Sequence, residues 1–404
     1  MAIIHPFRAL RPRPEKARDV ACVPYDVIDT AEARRLAEGN PDSFLHVIRP
    51  EIDLPEGTDE HDDAVYRKGA ENLEELARSG RLLTEATPAL YVYRLVMNGR
   101  EQTGLYGCVS VEDYDRDVIL KHEKTRQDKE DDRTRHILEQ RAHAEPVMLT
   151  YRDSVDVDRI VARTVSTEPL YDFEATDGIR HTIWRIHDPS EAVAAFAEVD
   201  HLYVADGHHR CKAASRTAER LRAEGTLGQH PEAAFFPAVL FPMSHMHIMP
   251  YNRVVYRVPG GVEALLETLR DRLGLSQNGS ETPTSPGQIG VYARGRWYSA
   301  TLPETRRGTV ADQLDVARLS EHVLEPILGI TDPRTDKNIG FVGGIRGTAE
   351  LERLVESGKA DVAISMYPTS IDELVDVSAA GQLMPPKSTW FEPKLRSGLL
   401  IHRF

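Results

Sequence analysis

Five consecutive residues, Asp206-Gly207-His208-His209-Arg210, set an acid, a glycine, two imidazoles and a guanidinium directly after the β-prone run 201–205. Beyond them Cys211, Ala214, Ala218 and Leu221 recur at spacings of 3, 4 and 3, one face of a helix that Gly225 closes. A strand therefore ends, the chain bends at glycine and a helix starts. The free N–H groups of a first helical turn and the helix dipole favour an anion by roughly 0.3–1 kcal/mol per exposed charge. Gly207 opens the backbone to such an anion. His208 and His209 add donors, and Arg210 can grip two oxygens at once. Asp206 can cap the helix, or help bind Mg2+ or an acceptor hydroxyl. These are the parts of a phosphate site. Asp206, His208 and His209 are its catalytic candidates, Gly207, His208, His209 and Arg210 the nucleotide-holding ones, and Asp206 the metal ligand. An ordinary Asp-Gly cap followed by two surface histidines is the plainer alternative. The position straight after a buried strand favours chemistry, because α/β enzymes bind ligands at the carboxyl ends of strands. Adjacent histidines point about 100° apart on a helix, which disfavours a shared transition metal unless His245 and His247 fold close by.

A second concentration of charge lies at 121–136. Lys121, Lys124, Arg126, Lys129, Arg133 and Arg135 alternate with Glu123, Asp128, Glu130, Asp131 and Asp132, between His122 and His136. No apolar side chain separates Leu120 from Ile137. A helix polar all round lies on the surface, bridges parts or lines a wet site, and a solvated helix with internal ion pairs is the ordinary case. A phosphoryl-transfer enzyme also needs both signs of charge: cations for polyphosphate, and carboxylates for Mg2+ and the attacking hydroxyl. Glu123 is the candidate base. Lys124, Arg126 and Arg133 are candidate phosphate ligands, the last two read as sharing one helical face. Weaker candidates for the substrate are Tyr25 and Asp26 after Pro24, Asn252 and Arg253 after Pro250, and Lys387, Ser388 and Thr389 in a proline-bracketed tail whose donors, Lys394 among them, could close over phosphate. Each has an ordinary turn or a buried strand as its plain reading.

These residues need a scaffold. Alternating or apolar runs predict strands at 43–50, 89–97, 104–114, 146–153, 180–187, 201–206, 235–243, 339–343, 361–366 and 397–402. Helical spacing predicts helices at 31–38, 63–79, 208–224, 313–328, 347–358 and 370–379. Asn98-Gly99 and Gly295 mark hairpin turns. The mixture makes the class α/β (mixed α+β), with a mixed sheet. At 404 residues the chain exceeds one ordinary core. The composition change near 257 divides it into an N-terminal catalytic region, 1–257, and a smaller C-terminal α/β region, 258–404, whose tail returns to the first.

The hydrophobic fraction of 41% and charged fraction of 28% are those of a folded globular protein. No run of about 18 apolar residues predicts a membrane span, and the first residues lack the features of a signal peptide. Three scattered cysteines make neither a disulfide framework nor a zinc pattern, so the cytoplasm is expected. A net charge of −14 opposes a nucleic-acid partner, because a nucleic-acid surface needs a basic stripe. The expected partners are a nucleotide and a small-molecule substrate, and a homo-oligomer is compatible with the sequence.

The turn at 206–210, PYDVI (24–28), KHEKT (121–125), HIMPYNRVV (247–255) and MPPKSTWFEPKL (384–395) together resemble the large prokaryotic domain of unknown function 1015 family across essentially the whole chain. More distantly, the central turn alone is similar to the phosphate-holding turn of ParB/sulfiredoxin-like proteins, among them free serine kinases. That resemblance implies a ParB/sulfiredoxin-like core around 201–224. It also implies phosphoryl transfer from ATP or ADP to the hydroxyl of free L-serine, giving O-phosphoserine. Those kinases carry their catalytic glutamate in an N-terminal segment without a clean counterpart here, so Glu123 stands on its chemistry alone. The competing readings are a nucleotide-binding regulator with slow hydrolysis, a metal-dependent hydrolase using the histidines, and DNA binding of the ParB kind.

Overall fold

The computed structural model describes residues 2–305 and 308–404. The chain forms two compact units. The first comprises Met1–Lys121, Thr125–Met246 and Pro393–Phe404, the second His122–Lys124 and His247–Glu392.

The first unit is built on a nine-stranded mixed sheet. Its strands are β1 (Ile4–His5), β2 (Leu90–Met97), β3 (Arg100–Ser110), β4 (Ile119–Leu120), β5 (Val147–Tyr151), β6 (Tyr171–Glu174), β7 (Arg180–Ile186), β8 (Leu202–Asp206) and β9 (Phe235–Pro242). They lie in the order β4-β8-β5-β9-β3-β2-β7-β6, with β1 beside β3. β8 runs parallel to β4 and β5 parallel to β9; β8 and β5 are antiparallel. The Asn98-Gly99 hairpin forms as expected, Asn98 and Gly99 both at positive φ. Every residue of β5 is buried, the pattern of a strand covered on both faces.

Three helices of this unit matter for the site: α1 (Asp63–Arg78), α2 (Gln127–Gln140) and α3 (His208–Ala223). The apolar stripe of α3 packs as its spacing predicts. Cys211, Ala214 and Ala218 join Val147, Leu149, Leu202 and Val204 in one core cluster. Small residues on that stripe let the helix lie close to the sheet.

α2 corrects the expectation of a solvated surface helix. Glu130, Asp132, Arg133, Thr134 and His136 are buried on it. With no apolar side chain before Ile137, it packs through paired charges and hydrogen bonds. Arg216 of α3 pairs with Glu130 at 3.2 Å, and the Tyr66 hydroxyl of α1 donates to Asp132 at 3.0 Å.

Two expected strands also differ. Leu45–Ile48 is helical and lies in a core cluster with Phe44. A run this short, with only His46 half-buried, reads the same in either conformation. In the tail only His402–Arg403 is a strand, paired with Ala142–His143, while Ser397 and Ile401 make single bridges to Cys22 and Leu10.

The second unit carries a six-stranded sheet of β10 (Tyr251–Val255), β11 (Ser276–Gln277), β12 (Gln288–Ala293), β13 (Arg296–Thr301), β14 (Ile339–Gly343) and β15 (Val362–Met366). Their order is β11-β13-β12-β15-β10-β14, all antiparallel, with the expected hairpin at Arg294-Gly295. Among the described residues no helix is long and apolar enough to cross a membrane.

Candidate active site

The 206–210 turn is shaped by a β-bulge. Tyr203 pairs with Thr150 and Val204 with Leu149, but the next partner of β5, Met148, faces Asp206, leaving Ala205 extra. Without that extra residue Asp206 would share the core-facing side of Leu202 and Val204, both 0% exposed. The bulge re-aims the carboxylate at the end of the strand, a common device beside functional groups.

Gly207 follows at φ +101, the left-handed region that an L side chain rarely adopts. A Cβ there would also come within 3.0 Å of Val147 Cγ1 and 3.1 Å of Arg210 Nε. The glycine is thus required by backbone and packing together, and Arg210 packs against its bare face.

Gly207 is the N-cap of α3. No side chain caps this helix and no acid stands in its first turn. Asp206 does not cap it, contrary to expectation; a full ion pair to Lys394 takes the carboxylate instead. The contrast with the other helices of eight or more residues among the described residues is complete. Each of those carries an acid in its first turn, and Asp29, Asp62 and Ser370 make side-chain caps as well.

Around this N-terminus the ionised groups are paired. Asp206 accepts from Lys394 Nζ at 2.9 Å and lies 4.0 Å from Arg210 Nη2. Burial would raise its carboxyl, but Lys394 and Arg210 outweigh burial and hold it at about 2. The Asp206 side chain keeps 26% of its surface exposed, so the bend is not sealed in the core. Burial drops the His208 imidazole to about 3 despite Asp206, leaving it neutral at pH 7. His209 is half-buried, and its Nε2 accepts the Arg126 backbone N–H at 3.1 Å.

Arg210 is turned inward. Its Nη1 donates to the Pro146 carbonyl, while its Nε has no partner among the described residues. Burial opposes its charge, but Asp26, Asp206 and Glu145 together hold the guanidinium firmly protonated.

Glu145 joins several motifs. Its Oε1 accepts the Tyr25 backbone N–H at 3.1 Å and the Ser397 hydroxyl at 3.2 Å, and its Oε2 lies 3.7 Å from Arg133 Nη1. Burial raises its carboxyl above the usual range, with Arg210 and Arg133 pulling it back. Arg133 pairs with Asp132 at 2.7 Å and lies over the Tyr25 ring at 3.9 Å. A cavity of about 30 Å³ between Arg210, Glu145 and Arg133 has room for a water or two.

The structure thus brings Tyr25, Asp26, Arg133 and the 206–210 turn into one electrostatic cluster. Arg126 lies at its edge, exposed and paired with Asp128 at 2.7 Å. It is the N-cap of α2 with extended backbone, so it does not share a helical face with Arg133. Glu123, half-buried, and Lys124, exposed, group with the second unit.

Asn252, Arg253, Lys387, Ser388 and Thr389 also belong to that unit. Asn252 Oδ1 accepts the Met366 N–H at 3.0 Å. Arg253 donates to the carbonyls of Tyr251 and Lys387, and burial lowers its guanidinium to about 10. Ser388 donates to the Pro385 carbonyl at 2.6 Å, Thr389 Oγ1 lies 3.5 Å from His122 Nε2, and Lys387 Nζ lies 5.6 Å from the Tyr251 ring centre. Sequence reasoning missed Glu145 altogether. Its signal was a lone carboxylate in the stretch AHAEPVML, at the mouth of a buried strand. Among the described residues no three His, Cys, Asp or Glu side chains are arranged to hold a metal ion.

The sequence matches the profile of the family described as "Protein of unknown function (DUF1015)" over residues 4–317. No curated protein matches it. Among solved structures it is similar to a conserved hypothetical protein from Pyrococcus furiosus, at 13% identity and TM-score 0.34 over 73% of this chain and 95% of that one. It is similar to SbnI from Staphylococcus aureus at 14% and 0.39, over 73% and 86%. It is also similar to a free serine kinase in complex with AMP at 12% and 0.35, over 73% and 92%. Likeness at that distance carries no weight for chemistry, which this chain's own side chains must decide.

Proposed function

This chain belongs to the DUF1015 family, and we propose that it is a phosphotransferase that binds a nucleotide at the 206–210 turn and phosphorylates the hydroxyl of a small metabolite. The observation that carries the reading is the N-terminus of α3. It is the one long helix start among the described residues left without acid or cap, and it lies between His209, Arg210 and the Asp206–Lys394 pair. Phosphate oxygens supply the negative charge that a helix start without a first-turn acid lacks.

In this reading the amides of the first turn of α3 and His209 hold the phosphates, with Arg126 as a further cation. Arg210, fixed by Pro146 and surrounded by acids, keeps Asp206 ionised and oriented. His208, neutral, is a hydrogen-bonding group and not a charge. Asp206 fits Mg2+ as a single carboxylate ligand, because Mg2+ takes most of its ligands from phosphate and water. Bound there, the ion would neutralise charge on the transferring group.

The acceptor hydroxyl oxygen attacks the terminal phosphorus as the bond to the leaving nucleotide's oxygen breaks. The hydroxyl proton passes to a carboxylate base. ATP or ADP is the donor, and free L-serine, giving O-phosphoserine, the favoured acceptor. Tyr25 and Asp26 are the candidates to receive its ammonium. Positioning and charge neutralisation supply most of the acceleration in such chemistry.

The test is an assay of the purified chain with ATP or ADP, Mg2+ and a panel of free amino acids, beside calorimetric titration of nucleotide. O-phosphoserine formation is the expected result. Tight nucleotide binding with no phosphorylated product points to a regulator, and absence of nucleotide binding removes the reading.

A further inference from the structure

The C-terminal tail brings one side chain to the turn that the proposed chemistry has not yet used. The segment Pro393–Phe404 belongs to the first unit. It is fastened independently of Lys394. Ser397 and Cys22 exchange both backbone hydrogen bonds, at 2.9 and 3.2 Å, and Leu10 and Ile401 exchange theirs at 2.9 Å. The Arg396 guanidinium pairs with Asp177, and the Tyr106 hydroxyl donates to the Leu400 carbonyl at 2.7 Å. Lys394 is therefore delivered to Asp206 by the path of the tail, not only by its own ion pair.

At its destination the ammonium lies 2.9 Å from Asp206, the residue just before the uncapped start of α3, and the pair keeps contact with solvent on both sides, 13% and 26% exposed. Asp206 already has a second cation in Arg210 at 4.0 Å. Arg210 is locked by Pro146 and packed on Gly207. Lysine is a compact charge on a flexible stem. It can hold Asp206 and still turn toward an anion arriving at the helix start.

We propose that Lys394 is a phosphate-binding residue of the 206–210 site, keeping Asp206 in place and taking an oxygen of the nucleotide's phosphates. The inference rests on the phosphotransferase reading and deepens it. The C-terminal tail becomes a working part of the site, and a chain lacking it binds nucleotide poorly however well the sheet folds.

The experiment is calorimetric titration of the full chain with ADP and with adenosine, for wild type, Lys394→Met and Lys394→Arg. The methionine keeps the stem and removes the charge. It is expected to weaken ADP binding by at least about tenfold, as loss of one charge-assisted contact does, and to leave adenosine binding within about twofold. Arginine restores most of the ADP affinity. Because neutralising Lys394 alone leaves Asp206 with only Arg210, at 4.0 Å, Asp206→Asn is compared with Asp206→Asn/Lys394→Met, where the same selective loss is expected without the underpaired carboxylate. Equal losses for ADP and adenosine, or none, overturn the role of Lys394 while leaving the phosphotransferase reading intact. A wild-type protein that does not prefer ADP to adenosine overturns that reading itself.

Discussion

The first unit holds Arg210 and the second holds Arg253, two guanidiniums buried to nearly the same degree, at 8% and 3% exposure. Arg210 lies in the field of Asp26, Asp206 and Glu145, and its charge is reinforced. Arg253 donates to two backbone carbonyls, and burial weakens its charge. Around Arg210, which also donates to the Pro146 carbonyl, charged side chains converge on a helix start that no side chain caps; around Arg253 the side chains tie down their own backbone, as Asn252 does at Met366 and Ser388 at Pro385. Polar residues in a short motif can thus be poised for a ligand or used up by the fold. What separates the cases is whether charges of opposite sign converge beside a helix start that no side chain caps.

The largest separation is expected from the two arginines themselves. Arg210→Ala leaves buried carboxylates short of a cation and should cost about 3–5 kcal/mol of stability, with at least a tenfold loss, about 1.4 kcal/mol, in nucleotide affinity or turnover. Arg253→Ala should cost only about 1–3 kcal/mol, the desolvation of the carbonyls it leaves, with nucleotide affinity unchanged. Urea melts and titration of both variants decide the matter; matching nucleotide losses would erase the distinction.

Next comes Gly207→Ala. The left-handed backbone costs a side chain about 1–2 kcal/mol, and crowding against Val147 and Arg210 adds to it. A melting temperature equal to that of wild type would mean that the turn relaxes freely.

Acid should loosen the first region. The folded Asp206 carboxyl, at about 2, lies below its ordinary value near 4. Its pairing therefore stabilises above pH ~4 and is lost as pH falls toward 2, a change of about 2 kcal/mol. His208 acts in the same sense: its folded value of about 3 lies below the ordinary value near 6.5, so its contribution is complete above that value and erodes below it. Stability measured against pH in Asp206→Asn and His208→Asn should show a shallower acid limb than wild type.

His209→Ala removes a half-buried ring and one hydrogen bond to the Arg126 amide. It should lower turnover or nucleotide affinity about tenfold, or 1.4 kcal/mol, with little change in the melting curve. Ser388→Ala in the second unit should show the smallest effect, about 1 kcal/mol of stability and no kinetic change. Wild-type kinetics in His209→Ala would leave the first region as structural as the second.

Several features were legible in one dimension because they are local. The strand, glycine and helix of 202–223 follow from a short apolar β-prone run, a residue suited to positive φ and helical spacing. The two hairpins follow from Asn98-Gly99 and Gly295 in the same way. Leu45–Ile48 was not legible, since four residues with one half-buried His46 fit strand alternation and a single helical turn alike. The burial of α2 was hidden because its charges look solvated until the Tyr66 hydroxyl, Arg216 and Glu145 arrive from other elements to pair with them.

By itself the sequence determined the turn at 206–210, the class of the fold and the family. Each depends on neighbours in the chain or on motif order. Only the tertiary structure decided which charges meet. Lys394 stands 188 residues from Asp206, and Glu145 stands 120 from Tyr25. Whether a carboxylate caps a helix or pairs with a lysine depends on which partner is closer in space, and that distance is set by sheet order, a single bulged residue and a returning tail.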